Sequence, residues 1–185
     1  MTTTAIATQV TTWNIDPAHS AAEFKVRHMM ISNVKGRFSG VSGALQLNEA
    51  DLTDSTVTAS IEAGSIDTRE PQRDAHLKSA EFFDVENFPT LSFTSTGVAR
   101  DEDGEITVAG DLTMHGVTRS VMFAVESFSK PSRDPWGNLR IGLSAATKIN
   151  RKDFGMTFNA ALETGGVLVG DEVTITLEVE FIGAA

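Results

Sequence analysis

The stretch 105–128, EITVAGDLTMHGVTRSVMFAVESF, decides the fold. Ile106, Val108, Gly110 and Leu112 share one side of its first half, and Val117, Val121, Phe123 and Val125 share one side of its second. Apolar residues at every second position mean a strand with one buried and one wet face. Between the two runs stands His115-Gly116, a two-residue connection whose glycine accepts the positive φ of a tight hairpin turn. We read a β-hairpin here, and His115 as a turn residue rather than a reactive one.

The same period of two runs through most of the chain. AAEFKVRHMM places Ala22, Phe24, Val26 and His28 against Glu23, Lys25 and Arg27. STVTASIEA, NLRIGLSAATKI and DEVTITLEVEF alternate likewise, through Val57, Ala59 and Ile61, then Leu139, Ile141, Leu143 and Ala145, then Val173, Ile175, Leu177, Val179 and Phe181. TLSFTSTGVA contributes Leu91, Phe93 and Val98. VKGRFSGVSGALQL carries Val34, Phe38, Leu45 and Leu47 with three glycines between them, and glycines inside a strand mark the bends that curl a sheet closed. With the hairpin, that makes eight antiparallel strands. Two segments break the alternation, 70–89 and 150–166, and read as one or two short helices with loops. Residues 1–11, rich in Thr and Ala and without period, read as a flexible tail before a single domain at 12–185.

Periodicity alone leaves a sandwich and a barrel both open. An eight-stranded barrel is just wide enough to hold one small ligand. The apolar faces mix Ala22, Ala59, Gly110 and Ala145 with Phe and Val, which leaves room inside, although tapered packing also uses small residues.

The bulk charge removes several functions. With 25 acidic against 15 basic residues the net charge is −10, which argues against nucleic acid and against electrostatic docking on an anionic membrane. No apolar run approaches the length of a membrane span, so stable membrane insertion is not expected. The absence of cysteine excludes disulfides, thiolate nucleophiles and Cys-based metal sites. The first residues carry no basic region followed by a long apolar stretch, so a cytoplasmic location is expected.

Catalytic patterns are equally sparse. The four histidines, His19, His28, His76 and His115, show no zinc-site spacing, and we expect neither metal nor cofactor. His19 and Ser20 are adjacent, so on a strand they point to opposite faces and form no nucleophile–base pair. Neither G-x-S-x-G nor a P-loop is present. Two polar clusters stand out: Arg73, Asp74 and His76, and Arg151 with Asp153. Such Arg–Asp pairs either tie a loop down or form a polar rim that anchors the head group of an apolar ligand. His28 shares the face of Phe24 and Val26, as a core residue or a ligand contact.

An ordered set of motifs now resembles a known family. WNIDPAHSAAEFKVRH (13–28), VKGRFSGVSG (34–43), ASIEAGSIDT (59–68), RDAHLKSAEFFDVENFPTLSF (73–93), VAGDLTMHGVTRSV (108–121), DPWGNLRIGLSAATKINRKDFG (134–155) and VGDEVTITLEVEF (169–181) follow in sequence. Together they are similar to the YceI-like family of bacterial lipid- and polyisoprenoid-binding proteins. The resemblance implies an all-β fold, an extended eight-stranded antiparallel lipocalin-like β-barrel with an elongated apolar lumen. It implies non-catalytic sequestration or transport of a long-chain lipid, a polyisoprenoid or isoprenoid quinone first, a fatty acid or fatty amide second.

Alternation together with that fold places Phe24, Val26, Phe38, Ile61, Phe93, Leu112, Phe123, Leu143 and Ile175 in the lumen. His28, Arg73, Asp74 and His76 match motif positions and become head-group or portal residues. Two rival readings remain. One is a catalytic barrel using His28 or His76 as acid–base group, and the other a packed β-barrel interaction module without a cavity. A barrel edge or exposed loop also offers a route to a homodimer.

Overall fold

The computed structural model describes residues 10–163 and 165–184. Its strands are β1 (Val10–Ile15), β2 (Ala21–His28), β3 (Ser32–Phe38), β4 (Val41–Asn48), β5 (Thr56–Glu62) and β6 (Ile66–Asp67). They continue as β7 (Thr90–Arg100), β8 (Ile106–Met114), β9 (Val117–Phe128), β10 (Ser132–Arg133), β11 (Leu139–Asn150) and β12 (Val169–Gly183). One α-helix, α1 (Pro71–Lys78), lies between β6 and β7.

The ring runs β11-β9-β8-β7-β5-β4-β1-β12, and β12 pairs back onto β11 from Arg140↔Ile182 to Asn150↔Glu172. It is a closed antiparallel barrel of eight strands. Three of its members are broken at matching heights. β1 and β2 lie in succession along β12, separated by a 3₁₀ turn at Pro17–His19. Pro17 has no N–H for the ladder, and Asp16 caps the turn by accepting the Ala18 N–H at 3.0 Å. β3 and β4 part at Ser39-Gly40, and β5 and β6 at Ala63–Ser65, so the bend crosses neighbouring strands. β3 pairs with β6 only at Arg37 and Phe38, so residues 32–36 present an outer edge among the described residues.

The glycine-rich run 34–47 is therefore one bent strand in two pieces, as its composition predicts. The strand β1 was hidden by its chemistry. Thr11, Trp13 and Ile15 are its inward residues, and a threonine in that series masks the period. Its hydroxyl accepts the Trp13 Nε1–H at 2.8 Å. Of the expected tail, residues 1–9 lie outside the described residues, while Val10 and Thr11 pair with Asn48 and Leu47. The first helical segment yields α1, whose Glu70 cap accepts the N–H groups of Gln72 and Arg73. The second yields a single 3₁₀ turn, Arg151–Phe154, ended by Gly155 at φ 79°.

At the β8–β9 hairpin, His115 and Gly116 have φ of 50° and 70°, and Met114 pairs with Val117. His115 does more than turn the chain. Its Nδ1–H donates to the Phe154 carbonyl at 3.0 Å, tying the turn to the 3₁₀ segment, and Phe88 packs on its edge at 5.3 Å. A Cβ at position 116 would stand 2.5 Å from the Phe88 ring. Gly116→Ala is expected to destabilise the fold by about 2 kcal/mol through the left-handed backbone and this contact. The midpoint of urea unfolding reads that loss.

Candidate functional site

Inside the ring lies a cavity of about 640 Å³. Its walls are the inward faces of nearly every strand, with Val26, Leu45, Val57, Val108 and Ile175 typical of them. Ala22, Ala59 and Ala145 line it too, and their short side chains leave width. Glycines set the position of two aromatic rings. Phe24 is paired with Gly36, where an added Cβ would collide with the ring. Phe93 rests on Gly110 in the same way. Both rings lie back over a bare backbone instead of crossing the lumen, the filling of a glycine gap by an aromatic neighbour.

The nine apolar residues expected in the lumen, Phe24, Val26, Phe38, Ile61, Phe93, Leu112, Phe123, Leu143 and Ile175, all line this cavity. His28, Arg73 and His76 line it as well, together with Arg27 and Gln72. His28, Gln72, Arg73 and His76 come from the end of β2 and from α1 and mark one end of the cavity, Arg27 turning its side chain to the outer face, while Ser55 and Thr56 line the opposite end. Asp74 does not reach the cavity. Its Oδ1 accepts the Thr68 N–H at 2.9 Å and the Thr68 hydroxyl at 2.5 Å. Arg73 holds the same residue, donating from Nε to the Thr68 hydroxyl at 2.7 Å and from Nη2 to its carbonyl at 2.9 Å. The Arg73–Asp74 cluster thus clamps Thr68 beside Arg69, whose φ is 63°. His76 donates from Nε2 to Glu81 at 2.6 Å and stacks edge-on with Phe82 and Phe158.

Several lining residues escaped sequence reasoning because they sit outside alternating runs: Leu77, Phe82, Phe83, Met156 and Phe158. Arg151 stands near Asp153 in the sequence, but its guanidinium binds elsewhere. It donates to the carbonyls of Met156 at 2.6 Å and Gly170 at 2.9 Å, and reaches Asp171 at 3.4 Å. Its burial lowers its pKa, an effect that Asp171 opposes. Arg151 is a strut for the segment that closes this end.

One other cluster brings metal-type ligands together. Asp16, His19 and Glu180 place ligand atoms within 4.8 Å of one another. The cation among them is Arg140, whose Nη1 donates to Asp16 at 2.7 Å and Glu180 at 2.9 Å, while Nε donates to Asp134 at 2.8 Å. The cluster is an ion-pair clasp on the outside of the barrel seam. We assign it no metal.

The matches to known proteins agree with this architecture. The model of the YceI-like domain fits residues 13–181. The chain belongs to the YceI-like family. The UPF0312 protein SAS2572 of Staphylococcus aureus is 38% identical over 173 residues, which cover 93% of this chain and 98% of that protein. In structure, this YceI-like chain is similar to BcnA of Burkholderia cenocepacia, with a TM-score of 0.77 at 20% identity, over 90% of this chain and 98% of the other. It is also similar to a polyisoprenoid binding domain from Saccharophagus degradans, with a TM-score of 0.65 at 14% identity, over 95% and 100%. These two likenesses show the fold. Among the described residues of this YceI-like chain, no helix is long and apolar enough to cross a membrane.

The clasp makes stability depend on acid. Hydrogen bonds from Arg140 first, and from His19 second, hold the Asp16 carboxyl at about 2, below its ordinary 3.8. A carboxylate with a lowered folded pKa contributes stability above the unfolded value, and that contribution is lost as pH falls through the folded one. The thermal midpoint is expected to fall as pH drops from 3.8 through about 2. Asp16→Asn keeps a capping oxygen but lacks the titrating group, and should flatten that part of the profile.

Proposed function

We propose that the barrel holds one long-chain apolar lipid in its lumen, for sequestration or transport, and makes or breaks no bond in it. A polyisoprenoid or isoprenoid quinone is the first candidate. The observation that carries this reading is the cavity itself: about 640 Å³, walled mostly by apolar side chains, with His28, Gln72, Arg73 and His76 at one end. That volume lies in the range of small-molecule sites, which are mostly apolar with few orienting polar groups. Transfer of each methylene from water into such a lumen contributes about 0.8 kcal/mol before ordering costs. The Saccharophagus degradans domain, described as polyisoprenoid binding, supports an isoprenoid as cargo.

The polar end orients the cargo. His28, Gln72, Arg73 and His76 face a head group, while the tail extends toward Leu47, Leu52 and Phe128. A fatty acid or fatty amide meets the same demands, since an apolar lumen selects by length and width more than by chemistry. The packed interaction module does not describe an interior with this volume. The catalytic reading, with His28 or His76 as acid–base group, predicts a changed lipid product, whereas a carrier returns its lipid unaltered. A chain without cysteine makes no demand on redox conditions, so the proposal holds in any compartment.

Native mass spectrometry of the purified protein, followed by organic extraction, tests the proposal. The expected result is one bound mass per chain with an isoprenoid or acyl fragmentation series. A protein that stays unliganded after incubation with polyprenyl and acyl lipids would overturn it. Ala59→Phe projects a ring into the lumen from the middle of β5, and is expected to weaken lipid retention on the order of tenfold or more.

A further inference from the structure

The β2–β3 hairpin ends in His28-Met29-Met30-Ile31, closed by the Ile31 N–H donating to the His28 carbonyl at 3.1 Å. Met29 and Met30 have φ of 49° and 60°, the pattern of a type I′ turn, where Asn-Gly is the favoured pair. Two methionines there are a poor choice for folding. They are also exposed, at 41% and 50%, and Ile31 is 74% exposed. Val167, 37% exposed, is on the neighbouring loop, whose Leu168 carbonyl accepts the Met29 N–H at 2.8 Å. A strained turn and the loop beside it thus display four apolar side chains to solvent, three of them on the turn.

Behind this tip the outer face of the hairpin is basic, against the sign of the whole molecule. Lys25, Arg27, Lys35 and Arg37 are all on it. Lys25 stands directly across from Lys35, a like-charge pair that disfavours the ladder. Within the hairpin and β6 the acidic groups lie at the far end from the tip, with Glu23 opposite Arg37 and Asp67 3.9 Å from it, while Asp171, near the tip on β12, is held by Arg151 and Lys152. On the adjoining strand, Lys25 meets Thr174. Glu172, nearby, is paired with Lys148 at 2.9 Å. The other side of the same hairpin lines the polar end of the cavity through Val26, His28 and Val34.

We infer that this hairpin is a docking element for an anionic lipid bilayer, with Met29, Met30 and Ile31 entering the interfacial region and the four cations meeting the head groups. Charge complementarity selects the partner: an apolar tip with basic flanks fits an anionic surface, and the remaining acidic surface is repelled from it. The contact would set the polar end of the lumen against the membrane, where an insoluble cargo is found. The inference rests on the lipid-carrier reading for its purpose, but its test reads the bilayer contact alone.

The test is flotation of the purified protein with vesicles of phosphatidylglycerol and phosphatidylethanolamine in roughly equal parts, and with pure phosphatidylcholine. The protein is expected to float with the anionic vesicles, to be released by salt, and to stay behind with phosphatidylcholine. Lys25→Gln and Lys35→Gln should each weaken partitioning about fivefold. Met29→Asn with Met30→Gly should abolish flotation while leaving the unfolding midpoint equal or higher, because that pair suits the turn. Loss of flotation in a protein at least as stable cannot come from misfolding. A protein that never floats, as when the tip serves a protein partner, would overturn the inference. So would equal flotation of all variants. Uptake of a lipid delivered from solution is measured separately: uptake without flotation overturns the docking element alone, and flotation without uptake leaves it standing while the carrier reading falls.

Discussion

Every part of the barrel hangs on β12. This fifteen-residue strand hydrogen-bonds to β11 along most of its length on one side, and on the other to β1 and then β2. A sheet closes only if its first and last strands meet in register, and here the meeting partner is broken in two. The break at Pro17–His19 lets the sheet bend without losing the seam. Arg140 stands across that seam, joining Asp16 after β1, Glu180 on β12 and Asp134 before β11. The ring is locked where its ends join, and the lumen follows from the ring.

An open lumen is unusual for an interior built from phenylalanine. Close-packed cores place large side chains against one another until no void remains. Here Gly36 and Gly110 receive the rings of Phe24 and Phe93, and Ala22, Ala59 and Ala145 keep other positions of the lining short. Stability comes instead from packed layers around the cavity. One gathers Trp13, Leu47, Ile141 and Phe181, and another Phe38, Ile66, Leu112 and Phe154. The molecule keeps its solid packing in these layers and leaves the axis unfilled.

The strands with strict alternation were legible in the sequence because a period of two suits a pleated strand and no helix. The nine apolar residues placed in the lumen from those strands line the cavity, while Leu139, on an alternating face too, is exposed. His115-Gly116 was legible for a similar reason, as a two-residue loop between alternating runs leaves little choice of turn. β1 was not, since Thr11 occupies an inward position and finds its hydrogen bonds locally. The polar clusters were half legible. Residue types left Arg73, Asp74 and Arg151 open as loop ties or as a head-group rim, because their partners Thr68, Met156 and Gly170 are backbone or hydroxyl groups that no spacing rule marks. The net charge does not register the basic face of the β2–β3 hairpin, because a global sum conceals a local face of opposite sign.

The outer edge of β3 carries a consequence for how these molecules live beside one another. Among the described residues nothing pairs with the outer edge of residues 32–36, and such an edge is the template on which a second chain can add a strand and start a fibre. Lys35 sits within that edge, and across from it stands Lys25. Two copies brought edge to edge would crowd four ammonium groups together, so the charge acts as a guard against aggregation. Crowding on a polyanion that neutralises those lysines would lower the guard, and the same patch would then decide between a dispersed protein and an ordered array.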